Sequence, residues 1–224
     1  LCVIALCCSS ILVAACSWGA VLSNNGKPGA VIVLGSDAIP AEHTAAKELS
    51  CYLKQITGAD FKTVESAKDA GNMVRIFLGQ TQETKNVLKN FDWEKLSQDG
   101  IIIRCRGNDI VLAGDRPRGT LYAVYTYLED YAGCRWWAPD AEYIPKKPTL
   151  KLANMNYVYK PPFFYRETFY GSVRASNPFA VKLKCNGHFE RIPEELGGHL
   201  SIIGWCHTFD QIMPRSKYFA SHPE

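Results

Sequence analysis

The chain has 224 residues, 47% of them hydrophobic and 12% aromatic, enough apolar material for one complete core and part of another. With 25 Lys and Arg against 22 Asp and Glu, the formal net charge is +3, too small and too dispersed for a nucleic-acid footprint. Residues 1–16, LCVIALCCSSILVAAC, carry no charge, and the first basic residue is Lys27. Such a run is too short and too serine-broken to read first as a membrane span; it reads as the apolar part of an export signal over residues 1–20. Neither an initiator Met nor a basic start precedes it, so the natural N-terminus is expected further upstream.

Val13-Ala14-Ala15-Cys16 resembles the bacterial lipobox, in which small residues precede a cysteine that is lipidated. Ordinary signal cleavage after Ala15 or Ala20 stays open beside it. Both readings imply export to the periplasm, outer membrane or cell surface, with a lipid on Cys16 as the only membrane contact. Of the 9 cysteines, those outside the export segment are Cys51, Cys105, Cys134, Cys185 and Cys206. An odd number at irregular spacing is no disulfide framework, and most are expected to be small buried hydrophobes.

After the polar stretch SNNGKPG, Ala30–Leu34 (AVIVL) reads as a buried strand closed by Gly35. Pro40 opens a helix whose apolar residues Ala45, Leu49, Leu53 and Ile56 recur at helical spacing, with Gly58 as its stop. Val74–Leu78 is a second strand, Phe61–Val64 a weaker one, and Gln82–Leu88 a short helix. Ile101–Cys105 and Ile110–Ala113 flank the turn-forming Arg106-Gly107-Asn108-Asp109 and predict a hairpin. A helix opened by Pro117 then carries Leu121, Val124, Leu128 and Tyr131 and ends at Gly133. A hairpin mixed with helices argues against an all-parallel sheet. The expectation is an α+β unit over 27–152, a mixed sheet with helices packed on one face. At Pro161-Pro162 a new element begins, FFYRETFY, patterned as a strand. A (β/α)8 barrel takes about 250 residues, so residues 161–224 would hold only its truncated start.

Three segments carry a family resemblance. AEHTAAKELSCYLKQITG (41–58) followed by VRIFLG resembles the small domain preceding the catalytic barrel in β-hexosaminidases of glycoside hydrolase family twenty and α-glucuronidases of family sixty-seven. DRPRGTLYAVYTYLEDYAGCRWWAPDAEYIP looks like that domain's closing helix and strand, and PPFFYRETF like the first barrel strand. The whole pattern is similar to a large group of exported bacterial proteins in which GWCHTFDQIMP and SHPE also recur. The resemblance implies a glycan-related hydrolase acting on an oligosaccharide partner, or a noncatalytic surface glycan-binding or adhesion protein of the same architecture; no cofactor is implied.

Glycoside hydrolysis needs two carboxyl groups flanking the scissile bond. The acids available are Glu167, Glu190, Glu194, Glu195, Asp210 and Glu224; none forms the expected Asp-Glu pair, and Glu194-Glu195 reads as a solvated run. The catalytic acids are therefore expected beyond residue 224, and the chain alone is expected to be inactive. Arg166 is the sharpest binding candidate, because a guanidinium can fork two hydrogen bonds to vicinal hydroxyls or a uronate. A structural ion pair is the equal alternative, with Glu167 on the opposite face. His207, between Trp205 and Phe209, and His188 are further substrate-binding candidates, His199 less so. No metal site is expected: CNGH has a suitable spacer, but adjacent Cys206 and His207 do not readily ligate one ion. Trp136-Trp137 is expected to seal a domain junction, one ring buried and one half exposed, rather than stack on sugar.

Overall fold

A computed structural model describes residues 20–204 and 208–222. The signal segment with Cys16, and also His207 and Glu224, lie outside the described residues.

The first unit is built on a six-stranded mixed sheet. In chain order its strands are β3 (Ala30–Leu34), β4 (Thr63–Val64), β5 (Val74–Leu78), β6 (Ile101–Arg106), β7 (Asp109–Gly114) and β11 (Asn156–Tyr159), arranged β11-β6-β7-β5-β3-β4. β4, β3, β5 and β7 run parallel. The hairpin β6–β7 and the pair β11–β6 are antiparallel. β1 (Val21–Asn24) pairs with β2 (Lys27–Pro28) and with β10 (Leu150–Lys151) in a small second sheet. β8 (Arg135–Ala138) and β9 (Ala141–Tyr143) form a two-stranded ribbon.

Period-two alternation divides the sheet into two apolar faces. Ile32, Leu34, Ile76, Leu78, Ile101, Ile103, Ile110 and Leu112 point into the larger core, against α1 (Pro40–Thr57) and α3 (Gly119–Thr126). Val33, Phe77, Ile102, Val111 and Ala113 point the other way, onto Leu88, Leu96 and the flanking Val87, Phe91 and Trp93. The second face is covered by α2 (Gln82–Val87) and a 3-10 turn at Trp93–Leu96. Helical cover on one face alone, the sequence expectation, is thus corrected. The reason stands in β3 and β7, buried at every position: strands apolar throughout need cover on both sides.

α1 ends at Gly58, whose φ of 79° puts it in the left-handed region. α3 starts two residues after Pro117 and passes into a π-helical turn, Tyr127–Ala132, closed by Gly133 at φ 95°. The wider turn breaks the 3.6 register, and Tyr131, expected on the apolar stripe, is instead half exposed and stacked on Tyr127. Elements outside 27–152 also join the first unit: β1 of the small second sheet begins at Val21, and β11, which ends at Tyr159, belongs to the six-stranded sheet. Cys134 and Cys185 are buried, whereas Cys51 is exposed and Cys105 intermediate.

Beyond β11 come short helices: α4 (Gly171–Arg174), α5 (Asn177–Lys182), α6 (Phe209–Ile212) and α7 (Arg215–Tyr218). Residues 161–170 form no strand ladder. One strand-like contact survives there: Asn186 N–H donates to the Arg166 carbonyl at 2.9 Å, and the Arg166 N–H donates to Asn186 Oδ1 at 2.7 Å. Among the described residues no helix is long and apolar enough to cross a membrane.

Candidate functional site

Two polar clusters occupy the two faces of segment 163–168, where it lies between the first unit and residues 184–200. Alternation separates them: Arg166 turns toward the sheet unit, while Tyr165 and Glu167 turn toward the loop carrying His188.

The inner cluster centres on Asp99, 3% exposed. Its carboxylate accepts Arg118 Nε at 3.0 Å from both oxygens, Arg166 Nη2 at 2.7 Å and Asn186 Nδ2 at 2.9 Å. Burial alone pushes Asp99 up, but the donors from Arg118, Arg166 and Asn186 outweigh it and hold the acid below the usual carboxylate range. Gln98 and Asp99 both sit at positive φ, 65° and 66°, a conformation costing about 1–2 kcal/mol for each non-glycine residue. The ion pairs offset that strain. Arg166 is otherwise committed to carbonyls, Nε to Lys184 and Nη1 to Phe163, with its guanidinium 5.6 Å from the Tyr122 ring centroid. Tyr122 donates to the Cys185 carbonyl at 2.8 Å, and burial raises its phenol far above the ordinary range. The ion-pair geometry considered for Arg166 is therefore present, its acid supplied from the other unit. A cavity of about 280 Å³ opens beside it, lined by Tyr122, Tyr157, Tyr159, Arg166, Leu183 and Lys184 among others.

The outer cluster joins Tyr165, Glu167, His188 and Glu190. Tyr165 Oη donates to Glu167 Oε2 at 2.5 Å and lies 2.9 Å from His188 Nδ1. The Phe189 N–H donates to Glu167 Oε1 at 2.7 Å. Burial and the Glu167 carboxylate push Tyr165 up to about 12. Glu190 is 2% exposed, and neither of its oxygens holds a hydrogen bond of normal geometry. Burial first, and then Glu167, raise its acid above the ordinary range; the backbone N–H groups of Glu190 and Thr168 only partly oppose this. Gly187 lets the two segments of this cluster close: a Cβ there would lie 2.5 Å from the Glu167 Cβ and Oε1.

Of the binding candidates, Arg166 and His188 thus lie on opposite faces of one segment, and His207 lies outside the described residues. His199 Nδ1 lies 3.0 Å from the Ile192 carbonyl. Glu194 and Glu195 are exposed. Among the described residues no three His, Cys, Asp or Glu side chains gather as a metal site. Trp136 is 8% exposed and Trp137 67%. Trp136 packs edge-on against Tyr52 and Tyr125, and Lys182 of α5 lies over the Tyr52 and Trp136 rings, so Trp136 sits between α1, α3 and α5, while Trp137 points to solvent. Sequence reasoning missed Asp99 and Asn186 entirely, because no local pattern marks partners 67 or 87 residues apart.

Residues 20–127 match the family model described as the glycosyl hydrolase family 67 N-terminus. The chain carries a glycoside-hydrolase-like N-terminal domain. Residues 136–224 match a domain of unknown function (DUF4838). Among solved structures, the glycoside-hydrolase-like fold superposes on a family GH115 4-O-methyl-α-glucuronidase with specificity for decorated arabinogalactans. The TM-score is 0.58 at 16% identity, over 81% of this chain and 29% of that one. A GH138 enzyme targeting pectin rhamnogalacturonan II gives a TM-score of 0.35 at 15% identity, over 46% of this chain and 13% of that one, a likeness too slight to argue from. No curated protein matches the chain. The chain therefore spans under a third of the glucuronidase whose fold it shares.

Proposed function

We propose that this chain is the N-terminal part of an exported carbohydrate-active protein, a glycoside hydrolase whose glycan-cleaving carboxylates are supplied by residues other than those described. The observation that carries the reading is the family 67 N-terminal match over residues 20–127, and the fold shared with a glucuronidase agrees with it. In this reading residues 161–224 begin a (β/α)8 barrel. Arg166 and His188 then flank the first barrel segment, and an oligosaccharide is the partner. One observation favours a noncatalytic glycan binder instead: the acids of this segment are engaged or buried, Glu167 by Tyr165 and Phe189, Glu190 by its surroundings.

The test is incubation of the full-length protein with a panel of plant and bacterial polysaccharides, following both reducing-sugar release and retardation in polysaccharide gels. Release identifies a hydrolase, and retardation without release identifies a binder. Neither effect across the panel would overturn the carbohydrate reading. Export through a lipid on Cys16 is tested separately: Cys16→Ala should move the protein from the membrane to the soluble fraction, and unchanged fractionation would refute lipidation.

A further inference from the structure

We propose that the cavity of about 280 Å³ between the β11 edge of the sheet and the turn at 183–184 is an accessory carbohydrate site, and that it takes one neutral pyranose unit of a glycan. The inference deepens the carbohydrate reading and rests on it for the class of ligand. One wall is β11. Tyr157 and Tyr159 pair with Ile103 and Ile101 of β6, so both rings stand on the α3 face of the sheet. The two exposed rings are near-parallel, with 10° between their planes and centroids 6.1 Å apart. Two such phenols at a cavity rim offer an apolar surface bordered by hydroxyls. A pyranose presents the matching pair, a C–H face and a rim of hydroxyls. Burial first, and then Tyr159 and Asp130, raise the Tyr157 phenol, which keeps it a neutral donor.

Thr126 of α3 and Asp130 of the π-helical turn also line the cavity, and Leu183 and Lys184 close it from the segment after α5. Thr126 is 5% exposed, and its hydroxyl has no hydrogen-bond partner among the described residues. Buried hydroxyls are ordinarily bonded; a sugar hydroxyl in the adjoining space would supply the partner. The π turn that carries Asp130 is itself a rare element, and such turns frequently mark functional sites. The charges around the cavity select the kind of sugar. Arg166 is paired with Asp99, and Lys184 with Glu129. Asp130 is exposed and enters no ion pair among the described residues, so its charge is uncompensated. A carboxylate accepts hydrogen bonds from the hydroxyls of a neutral ring and repels a uronate. The volume falls just under the about 300–1,000 Å³ of ordinary small-molecule pockets, which is room for one ring.

The test uses the full-length protein labelled with fluorotyrosine, in which the fluorine resonances of Tyr157 and Tyr159 are assigned by their loss in Y157F and Y159F. Galactotetraose, xylotetraose and cellotetraose serve as neutral probes, and galacturonotetraose as the acidic one. At least one neutral chain should shift both resonances saturably. The acidic chain should bind here about fivefold more weakly, the worth of one unit charge about 4 Å away in water, and D130N should remove that difference. L183W, which fills the cavity from an exposed position, should abolish the shifts. Resonances unmoved by every neutral chain, in a protein that is retarded by polysaccharide gels or releases sugar from them, would overturn the site and leave the carbohydrate reading standing. No shift together with no retardation and no release would remove both. Galacturonotetraose bound as tightly as the neutral chains, or shifts that survive L183W, would also overturn the site.

Discussion

Asp99 is the one carboxylate on which Arg118 of the sheet unit and Arg166 and Asn186 of the following segment converge, so Asp99→Ala strands two guanidiniums at once. Their side chains are 9% and 19% exposed, against 3% for Asp99. That places the network in the regime where breaking a buried pair costs about 3–5 kcal/mol, most of it the uncompensated charge left behind. Asp99 sits at φ 66°, a left-handed conformation that Asp tolerates better than Ala, so the substitution adds to the loss rather than offsetting it. At about 2–4 °C per kcal/mol for a chain of this size, the melting temperature should fall by about 6–20 °C. The assay is urea denaturation and thermal melting of wild type, D99A, R166A and the double variant. If the network binds the two units together, the singles are strongly non-additive, because either one already breaks the same contact. A D99A loss below about 1 kcal/mol, or simple additivity with R166A, would refute the reasoning and return Arg166 to solvent or ligand.

The same network predicts an acid limb. Asp99 is held below its ordinary range, so its stabilisation is present above the unfolded value of about 4 and is lost as pH falls through the folded one; thermal melts should show a steep acid fall in wild type that is shallower in D99N. Gly187→Ala should destabilise the chain by about 1–3 kcal/mol through overpacking against Glu167, measured by urea titration, and a neutral result would mean that Glu167 does not lie against the Gly187 backbone.

The parts of the fold that were legible in sequence are those governed by local periodicity and local chemistry. The α1 stripe Ala45, Leu49, Leu53 and Ile56 is fully buried, because its spacing matches the helical turn, and Gly58 and Gly133 stop their helices because a left-handed residue is needed there. The hairpin followed from a turn that only a few residue types make well. What failed was non-local. β11 is an edge strand of four residues, all with exposed side chains, and without a burial difference there is no alternation to read. The short helix at Gln82–Val87 was expected, but that it covers a second face together with the 3-10 turn at Trp93–Leu96 was not, because both pieces are too short for a hydrophobic period. The candidate site divides the same way. Arg166 and His188 could be nominated by residue type, but Asp99 sits in DWEKLSQDG with nothing beside it to announce a buried acid, and Glu190, counted only among the available acids, carries no local sign of its burial.

The boundaries seen by sequence comparison and by the sheet do not coincide, and the difference bears on what the first unit is for. The family matches part the chain between residues 127 and 136, yet β11, at Asn156–Tyr159, completes the sheet by pairing with β6 along Ile101–Arg104. The second matched segment thus supplies the last strand of the first unit. It then sends Arg166 and Asn186 back to Asp99, which lies just ahead of β6. Strand and ion pair anchor the same short stretch, residues 99–104, to the two ends of one excursion, residues 156–186. A segment tied down at both ends loses far less conformational entropy when anything binds to it than a tethered one does. The sheet unit therefore acts on segment 163–168 as a rigid support. It fixes the Arg166 face inward, toward Asp99, and holds Tyr165 and Glu167 on the opposite face against the loop that carries His188.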